Sequence, residues 1–426
     1  MGSSSCEKRC AGPYKPDIII HGGAGAISRK NLPPSLYYQY HDSLMRYLKE
    51  AKALLDAGGS ALDAACHAVC LLEDDPLFNC GRGSVFTRDG TNEMEASVMV
   101  VAADPHATGP AGSIKRGAAA SLLRETRHPI LLAKEVLLSP ENEGGLGGTS
   151  TMHCHLSGAD LERWGFEQRG LERKPPAWFW TERRWNEHRR ELDKEKEDSI
   201  LLEDVSALPS QGTVGAVCLD AAGNLAVATS TGGLTNKLAG RIGDTPTLGA
   251  GFWAEAWTDR SYGPGSSLAW TRGSTIPRTV PPQDILSRLA TICVPVEVSN
   301  MYMKLFQSSA RERPAQGRRA VAMSGTGNGD SFLRTNAVRT AAAICRLSGA
   351  SLETALSDVA GPGGELEQSA GDRWGKTGEG EGGIIGIEVD GFAAKAVFEF
   401  NCGGLWRAWY LDGRPKVMAF RDEYEA

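Results

Sequence analysis

Gln211–Gly233 reads "QGTVGAVCLDAAGNLAVATSTGG". Two apolar runs, Val214–Leu219 and Leu225–Thr229, flank "DAAGN", a cluster of turn-forming residues, so the stretch predicts a β-hairpin. Gly212 and Thr213 open the hairpin; Ser230, Thr231 and two glycines close it. Two threonines therefore stand at its open end. Upstream, Gly170–Gln211 is dominated by "ERRWNEHRRELDKEKEDS", a run of both charge signs that reads as a solvated helix or a mobile linker.

Downstream, Ile384–Val389 and Ala393–Phe400 flank "DG", and Trp406–Leu411 and Lys416–Phe420 flank "DGRP", which predicts two more hairpins. Helical spacing returns at Arg334–Leu347 and Leu352–Ala360. Near the start, Asp17–Ile20 reads as a buried strand running into His21–Gly25, "HGGAG", a glycine loop. Leu36, Tyr40, Leu44, Tyr47, Leu48, Ala51 and Leu55 recur at helical spacing until Gly58 and Gly59. Ser60 with Asp63 starts a second helix from Ala61 to about Leu72. Trp257–Arg319, rich in Pro, Gly and Ser, reads as an insertion. Strands and helices in both halves predict an α/β fold of stacked sheets covered by helices.

The chain has 426 residues, 41% hydrophobic and 23% charged, enough for a large core. A net charge of −6 leaves no electrostatic footprint for nucleic acid. No apolar stretch is long enough to span a membrane. The opening "MGSSSCEKRCAGPYKP" lacks the apolar run of a secretory signal, and Cys6 stands where a myristoylation signal takes Ser or Thr. The expected setting is cytoplasmic, with no nucleic-acid or membrane partner. The ten cysteines are scattered singly and read as reduced thiols. Cys66 and Cys70, one helical turn apart, read as packed small residues rather than metal ligands. "MHCH" at Met152–His155 lacks a matching ligand pair for zinc.

All eight histidines lie at or before His188. The half of the chain that starts at Thr213 has no histidine base of its own. A threonine that becomes a chain terminus needs none, because its α-amine has an unperturbed pKa of about 7.7–8.0 and can activate its own hydroxyl. A preceding glycine suits self-cleavage, in which that hydroxyl attacks the Gly212 carbonyl.

"GTVGAVCLDAAGNLAVATSTGGLTNKLAGRIGDTPTLGAGFWA" closely resembles the nucleophile segment of plant-type L-asparaginases, also called isoaspartyl peptidases, which are N-terminal nucleophile hydrolases. "HGGAG", "LEDDPLFNCGRGSVF" and "SGTGNGDSFLR" resemble three further blocks in the family's order. The resemblance covers roughly 17–133, 213–252, 324–347 and 382–409. It implies a four-layer αββα sandwich and cleavage between Gly212 and Thr213. The chain then divides into a tail 1–16, an α part 17–212 with charged linker 170–212, and a β part 213–426 with an insertion at about 257–319. Thr213 matches the nucleophile and Thr231 the threonine whose hydroxyl contacts it. Arg241 matches the holder of the substrate α-carboxylate, Asp244 the partner of the α-ammonium, and Gly329 a backbone contact to substrate. Thr326 and the Gly327 N–H match the oxyanion hole, and Asn79 an asparagine that helps place the threonine. No cofactor is required. A structural sodium ion is implied, held by main-chain carbonyls of Leu72, Glu73, Asp75, Phe78, Cys80 and Arg82. The implied assembly is a heterotetramer, (αβ)2.

The resemblance implies release of aspartate from L-asparagine and from β-aspartyl dipeptides. Two relatives of that chemistry fit the same motifs: glycosylasparaginase, through "TGNGD", and a threonine aspartase acting on proteins. "GTVGAV" and "STGG" favour the asparaginase branch. An uncleaved scaffold is the non-enzymatic alternative. The chain departs from the family at "MEAS", Met94–Ser97, where "MDAS" is usual, at the length of the insertion, and at "NCGGLWRAW" near the C-terminus.

Overall fold

The computed structural model describes residues 12–102, 116–139, 153–196, 212–258 and 318–424. The N-terminal tail to residue 11, the linker 197–211, nearly all of the insertion and Met152 of "MHCH" lie outside them.

The opening hairpin forms as β5 (Val214–Leu219) and β6 (Asn224–Thr231). Its turn is held by Asp220, whose Oδ1 accepts from the amides of Ala222 and Asn224, an Asx arrangement that suits this residue type. Around it an eight-stranded sheet is built from β1 (Asp17–Gly25), β2 (Met94–Ala102), β3 (Arg116–Leu123), β4 (His155–Ser157), β11 (Gly404–Leu411) and β12 (Arg414–Met418), in the order β12-β11-β1-β5-β6-β2-β3-β4. A four-stranded sheet has the order β10-β9-β8-β7, from β7 (Phe252–Thr258), β8 (Arg318–Gly327), β9 (Gly382–Asp390) and β10 (Ala393–Phe400). The hairpin is thus central in the larger sheet. "HGGAG" is a correction to the loop reading: it continues β1, with a bulge between His21 and Gly23.

Strand alternation distributes the apolar residues between two cores. Ile18, Ile20, Ala216, Cys218, Ala228 and Val98 pack beneath helices α1 (Pro34–Asp56), α2 (Ala61–Asp74) and α3 (Pro129–Leu138). Their strand neighbours Ile19, Val217, Val227 and Met99 face Phe252, Ala322, Ile385 and Ile387 of the smaller sheet. The fold is therefore mixed α/β with two stacked sheets. The far face of the smaller sheet, with Val321, Met323 and Ile384, packs on α8 (Ala337–Ser348) and α9 (Leu352–Ala360). The helix expected over Arg334–Leu347 is in fact two, α7 (Gly329–Thr335) and α8, broken at Asn336, which adopts φ 48°. Ser60 caps α2 by accepting from the Asp63 amide, as its spacing suggested.

The charge run differs most from its reading. Between α4 (Gly158–Arg169), α5 (Pro176–Phe179) and the linker it forms α6 (Glu182–Lys196), and this helix is docked. Arg184 is buried; its Nε donates to the Gly83 carbonyl at 2.8 Å and its Nη1 pairs with Glu187 Oε2 at 2.9 Å. Glu187 accepts from the Thr235 hydroxyl, and His188 meets Asn236. The polar residues on this face have partners on two loops, so the helix is not simply solvated. Arg184→Ala leaves Glu187 buried without its charged partner, a loss of about 3–5 kcal/mol. The expected result in urea unfolding is a large drop in midpoint, substantially recovered by the double change Arg184→Met with Glu187→Leu.

Candidate active site

β5 and β6 are paired from Leu219↔Leu225 to Val214↔Ser230. Thr213 and Thr231 stand one step beyond that last pair, which is why both threonines frame the hairpin. Both are buried. Thr213, Thr231, Arg241, Asp244, Gly327 and Gly329 line one cavity of about 200 Å³, a size suited to an amino-acid-sized ligand. Gly212 lines it too, so the Gly212–Thr213 bond lies at the cavity wall.

Gly212 has no room for a side chain. A Cβ there would lie 2.5 Å from the Thr326 hydroxyl and 3.2 Å from the Gly327 nitrogen, inside ordinary contact distance. The same two donors are thus placed beside the residue whose carbonyl precedes Thr213. Gly327 needs glycine for its backbone as well, with φ 147° and the Glu381 carbonyl 2.4 Å from any Cβ. Thr326 is fully buried, and its Oγ1 accepts from the Ala24 amide.

The loop carrying Arg241 and Asp244 is pinned by alternate residues running from Glu93, just before β2, into the strand. Glu93 Oε2 accepts from the Gly240 amide at 2.7 Å, Glu95 Oε1 from Gly243 at 2.9 Å, and Ser97 Oγ donates to the Thr245 carbonyl at 2.6 Å. Three rungs with a period of two residues hold the loop along one strand face. Arg241 pairs with Asp330 at 3.0 Å, and Asp330 is well exposed, so the guanidinium is held at the mouth by a partner that a substrate carboxylate can replace. Burial pushes the Asp244 carboxyl up to about 7, against the opposing pull of Arg241. Asp244 Oδ2 is buried with no hydrogen-bond partner among the described residues. An unpaired buried carboxylate oxygen is costly; the other oxygen, Oδ1, lies 2.5 Å from where a Cβ on the cavity-lining Gly329 would stand.

A family model described as asparaginase matches residues 14–266. An isoaspartyl peptidase of Escherichia coli is 32% identical over 412 residues, covering 95% of this chain and 96% of that one. The chain belongs to the asparaginase family. A putative isoaspartyl peptidase/L-asparaginase of Dictyostelium discoideum is 37% identical over 265 residues, with 56% of this chain and 70% of that one covered. A human isoaspartyl peptidase/L-asparaginase is 36% identical over 241 residues, covering 56% and 68%.

Some asparaginase site residues sit differently from their sequence reading. The hydroxyl bonded to Thr213 Oγ1 is that of Thr245, at 3.1 Å, whereas Thr231 Oγ1 accepts from the Gly233 amide at 3.0 Å. Thr231 faces the cavity, and its hydroxyl closes the turn. Asn79 lies behind that turn: its Nδ2 donates to the Gly233 carbonyl, and its Oδ1 accepts from Val85. It supports the residues after Thr231 and makes no hydrogen bond to Thr213. Thr245 and Glu95 were not singled out from sequence as site residues. The signal for Glu95 was the "MEAS" departure; Thr245 stands next to Asp244 in the quoted block.

His21 is fully buried beside the Thr213 backbone, with Nε2 2.7 Å from Ser324 Oγ. Burial holds its imidazole down at about 3, opposed by the Thr213 backbone. It is neutral through the ordinary pH range and anchors β1 to β8. Of the cysteines and histidines weighed as metal ligands, Cys66 is fully buried and Cys70 partly so. Burial raises the Cys66 thiol to about 12 and Cys70 well above its usual range. His153 is exposed, while His155 meets the Ser121 hydroxyl. Among the described residues, no group of three or more His, Cys, Asp or Glu side chains is placed to hold a metal ion. No helix among them is long and apolar enough to cross a membrane.

Proposed function

We propose that this asparaginase-family chain is a self-processing threonine amidohydrolase that releases aspartate from L-asparagine and from β-aspartyl dipeptides. The observation that carries the reading is the single cavity in which Thr213 meets Arg241, Asp244 and the Gly327 backbone. The names of the relatives, isoaspartyl peptidase and isoaspartyl peptidase/L-asparaginase, support the substrate class.

In maturation, Thr213 Oγ attacks the Gly212 carbonyl carbon. The peptide nitrogen takes a proton and leaves as the Thr213 α-amine, and water hydrolyses the resulting ester. Thr326 and the Gly327 N–H, already beside Gly212, stabilise the oxyanion. In turnover the freed amine takes the proton from Thr213 Oγ as that oxygen attacks the side-chain carbonyl of the substrate. The leaving nitrogen departs as ammonia or as the α-amine of the second residue, and water releases aspartate from the acyl-enzyme. Arg241 forks onto the α-carboxylate, displacing Asp330. Asp244 receives the α-ammonium.

The fold that goes with this chemistry is the four-layer αββα sandwich, with products 1–212 and 213–426 remaining together and pairing as (αβ)2. A sodium ion in the loop 72–82 fits the residues present. The Glu73 and Phe78 carbonyls lie 2.3 and 2.0 Å from where side chains on Gly81 and Gly83 would begin, so the loop turns carbonyl oxygens inward, and a hard cation takes such ligands. Its chemistry there is to hold the loop that carries Asn79.

Rates on asparagine, β-Asp-Leu and a glycosylated asparagine test the reading. Activity confined to the glycosylated substrate assigns the chain to glycosylasparaginase chemistry instead. Arg241→Ala removes a charge-assisted contact, a loss of about 1.5–3 kcal/mol, or roughly tenfold to a hundredfold in kcat/KM. Lysine restores part of it, as a point charge in place of a fork. Unchanged kinetics for the alanine variant on both substrates would remove Arg241 from the site.

A further inference from the structure

Glu95 has no part in the steps above, yet it lines the same cavity. It stands opposite Thr231 in the β2–β6 ladder and is 1% exposed. Its Oε1 is satisfied by the Gly243 amide; its Oε2 is buried with no hydrogen-bond partner among the described residues. That second oxygen and Arg241 Nη1 each lie 3.0 Å from the point where a Cβ on Gly243 would stand, so both border the same space beside Gly243. On the other side, Arg241 Nη2 and Asp244 Oδ1 lie 3.0 and 2.5 Å from the equivalent point on Gly329. Both carboxylates thus border Arg241, and each has an unsatisfied oxygen, which on Asp244 is the Oδ2 lying 3.1 Å from the equivalent point on Gly251. The other charged groups acting on Glu95 are Lys237 and Glu93, and the Lys237 ammonium donates to the Glu93 carbonyl. Two buried carboxylates lining one cavity suit a ligand that brings several N–H donors and a positive charge, as an ammonium group does.

We infer that Glu95 is a specificity-determining residue: its free oxygen and Asp244 together receive the α-ammonium of the substrate, so the pocket selects an α-amino acid head group over a plain carboxylic acid. This rests on the reading of Arg241 and Asp244 given under the proposed function. It assigns "MEAS" a role in recognition in addition to its hold on the loop.

The test compares two competitive inhibitors of β-Asp-Leu hydrolysis by the matured protein: L-aspartate, and succinate, which lacks only the amine. Glu95→Gln keeps an oxygen acceptor for the Gly243 amide and removes the charge. The expected result is an L-aspartate inhibition constant raised about tenfold or more, with that of succinate unchanged or lowered, so the preference for the amine collapses. Equal shifts for both inhibitors, or none, would overturn the proposal and leave Glu95 as a support for the loop alone. Where the glutamine variant does not fold or mature, Glu95→Asp withdraws the charge by one methylene. A reduced preference in it supports the proposal, and a wild-type preference overturns it. If the wild-type protein hydrolyses neither asparagine nor β-Asp-Leu, the proposed function fails. The two inhibitors' binding to wild-type and variant protein, measured by calorimetry, then decides the role of Glu95 separately.

Discussion

Thr213→Ala is expected to remain one band near 45.5 kDa on a denaturing gel, where the wild-type chain is expected to give two of roughly half that mass. Turnover of asparagine and β-Asp-Leu should fall by about 10⁴-fold or more, the scale of losing a nucleophile that acts together with its base. The change is small in volume and removes the hydroxyl that meets Thr245. That contact is worth only about 1 kcal/mol, so the fold should survive and the loss should lie in the chemistry. Thr213→Ser keeps a hydroxyl and should still mature, more slowly, because the methyl group that fixes the rotamer is gone. N-terminal sequencing of the smaller products gives the sharper check: the β part must begin Thr-Val-Gly-Ala. Cleavage of the alanine variant at Gly212 would place the nucleophile on another residue, and Thr245 would be the first to examine.

How much of this was legible in the sequence depends on how far apart the partners lie. The hairpin 214–231 and the helices α1 and α2 were legible because turn residues, alternation and capping are local signals. The cavity members Thr213, Arg241, Asp244, Gly327 and Gly329 were named from the block resemblance, and the structure brings all five to one cavity. What sequence did not reveal was which residues hold them. Glu93, Glu95 and Ser97 pin Gly240, Gly243 and Thr245, and nothing in the "EMEAS" pattern says which distant loop its outward face will meet. Helix α6 was misread for a related reason. A mixed charge run ordinarily faces water, and the Gly83 carbonyl and the Thr235 and Asn236 side chains that satisfy Arg184, Glu187 and His188 come from loops remote in the chain. "HGGAG" was read as a loop because glycine-rich segments favour turns; here β11 pairs along it to Gly25, and β5 pairs with His21 on the other side, which keeps it extended.

Selective blocking of the Thr213 amine in matured protein is expected to abolish turnover, while His21→Ala retains the ascending limb of the pH–rate profile. The amine accepts the hydroxyl proton only when neutral, so activity must rise with pH through its pKa. That pKa lies near the unperturbed value of about 7.7–8.0, or lower where burial and the Arg241 charge disfavour the ammonium. His21 gives the opposite signature. Its folded-state pKa, held at about 3 by burial, lies below the ordinary histidine value, so it is already neutral throughout the range in which activity rises and its titration cannot produce the limb. Its influence falls on stability instead. The unfolded chain binds the His21 proton below about 6.5 and the folded chain does not until about 3. The folded state therefore loses stability as pH drops from about 6.5 toward 3. His21→Ala removes that acid sensitivity and also breaks the contact to Ser324. Thermal melts at acid and neutral pH should show a smaller difference for the variant than for the wild-type protein. Turnover that survives a blocked amine, or an ascending limb that vanishes with His21 in a folded and matured enzyme, would transfer the role of base from the chain terminus to the imidazole.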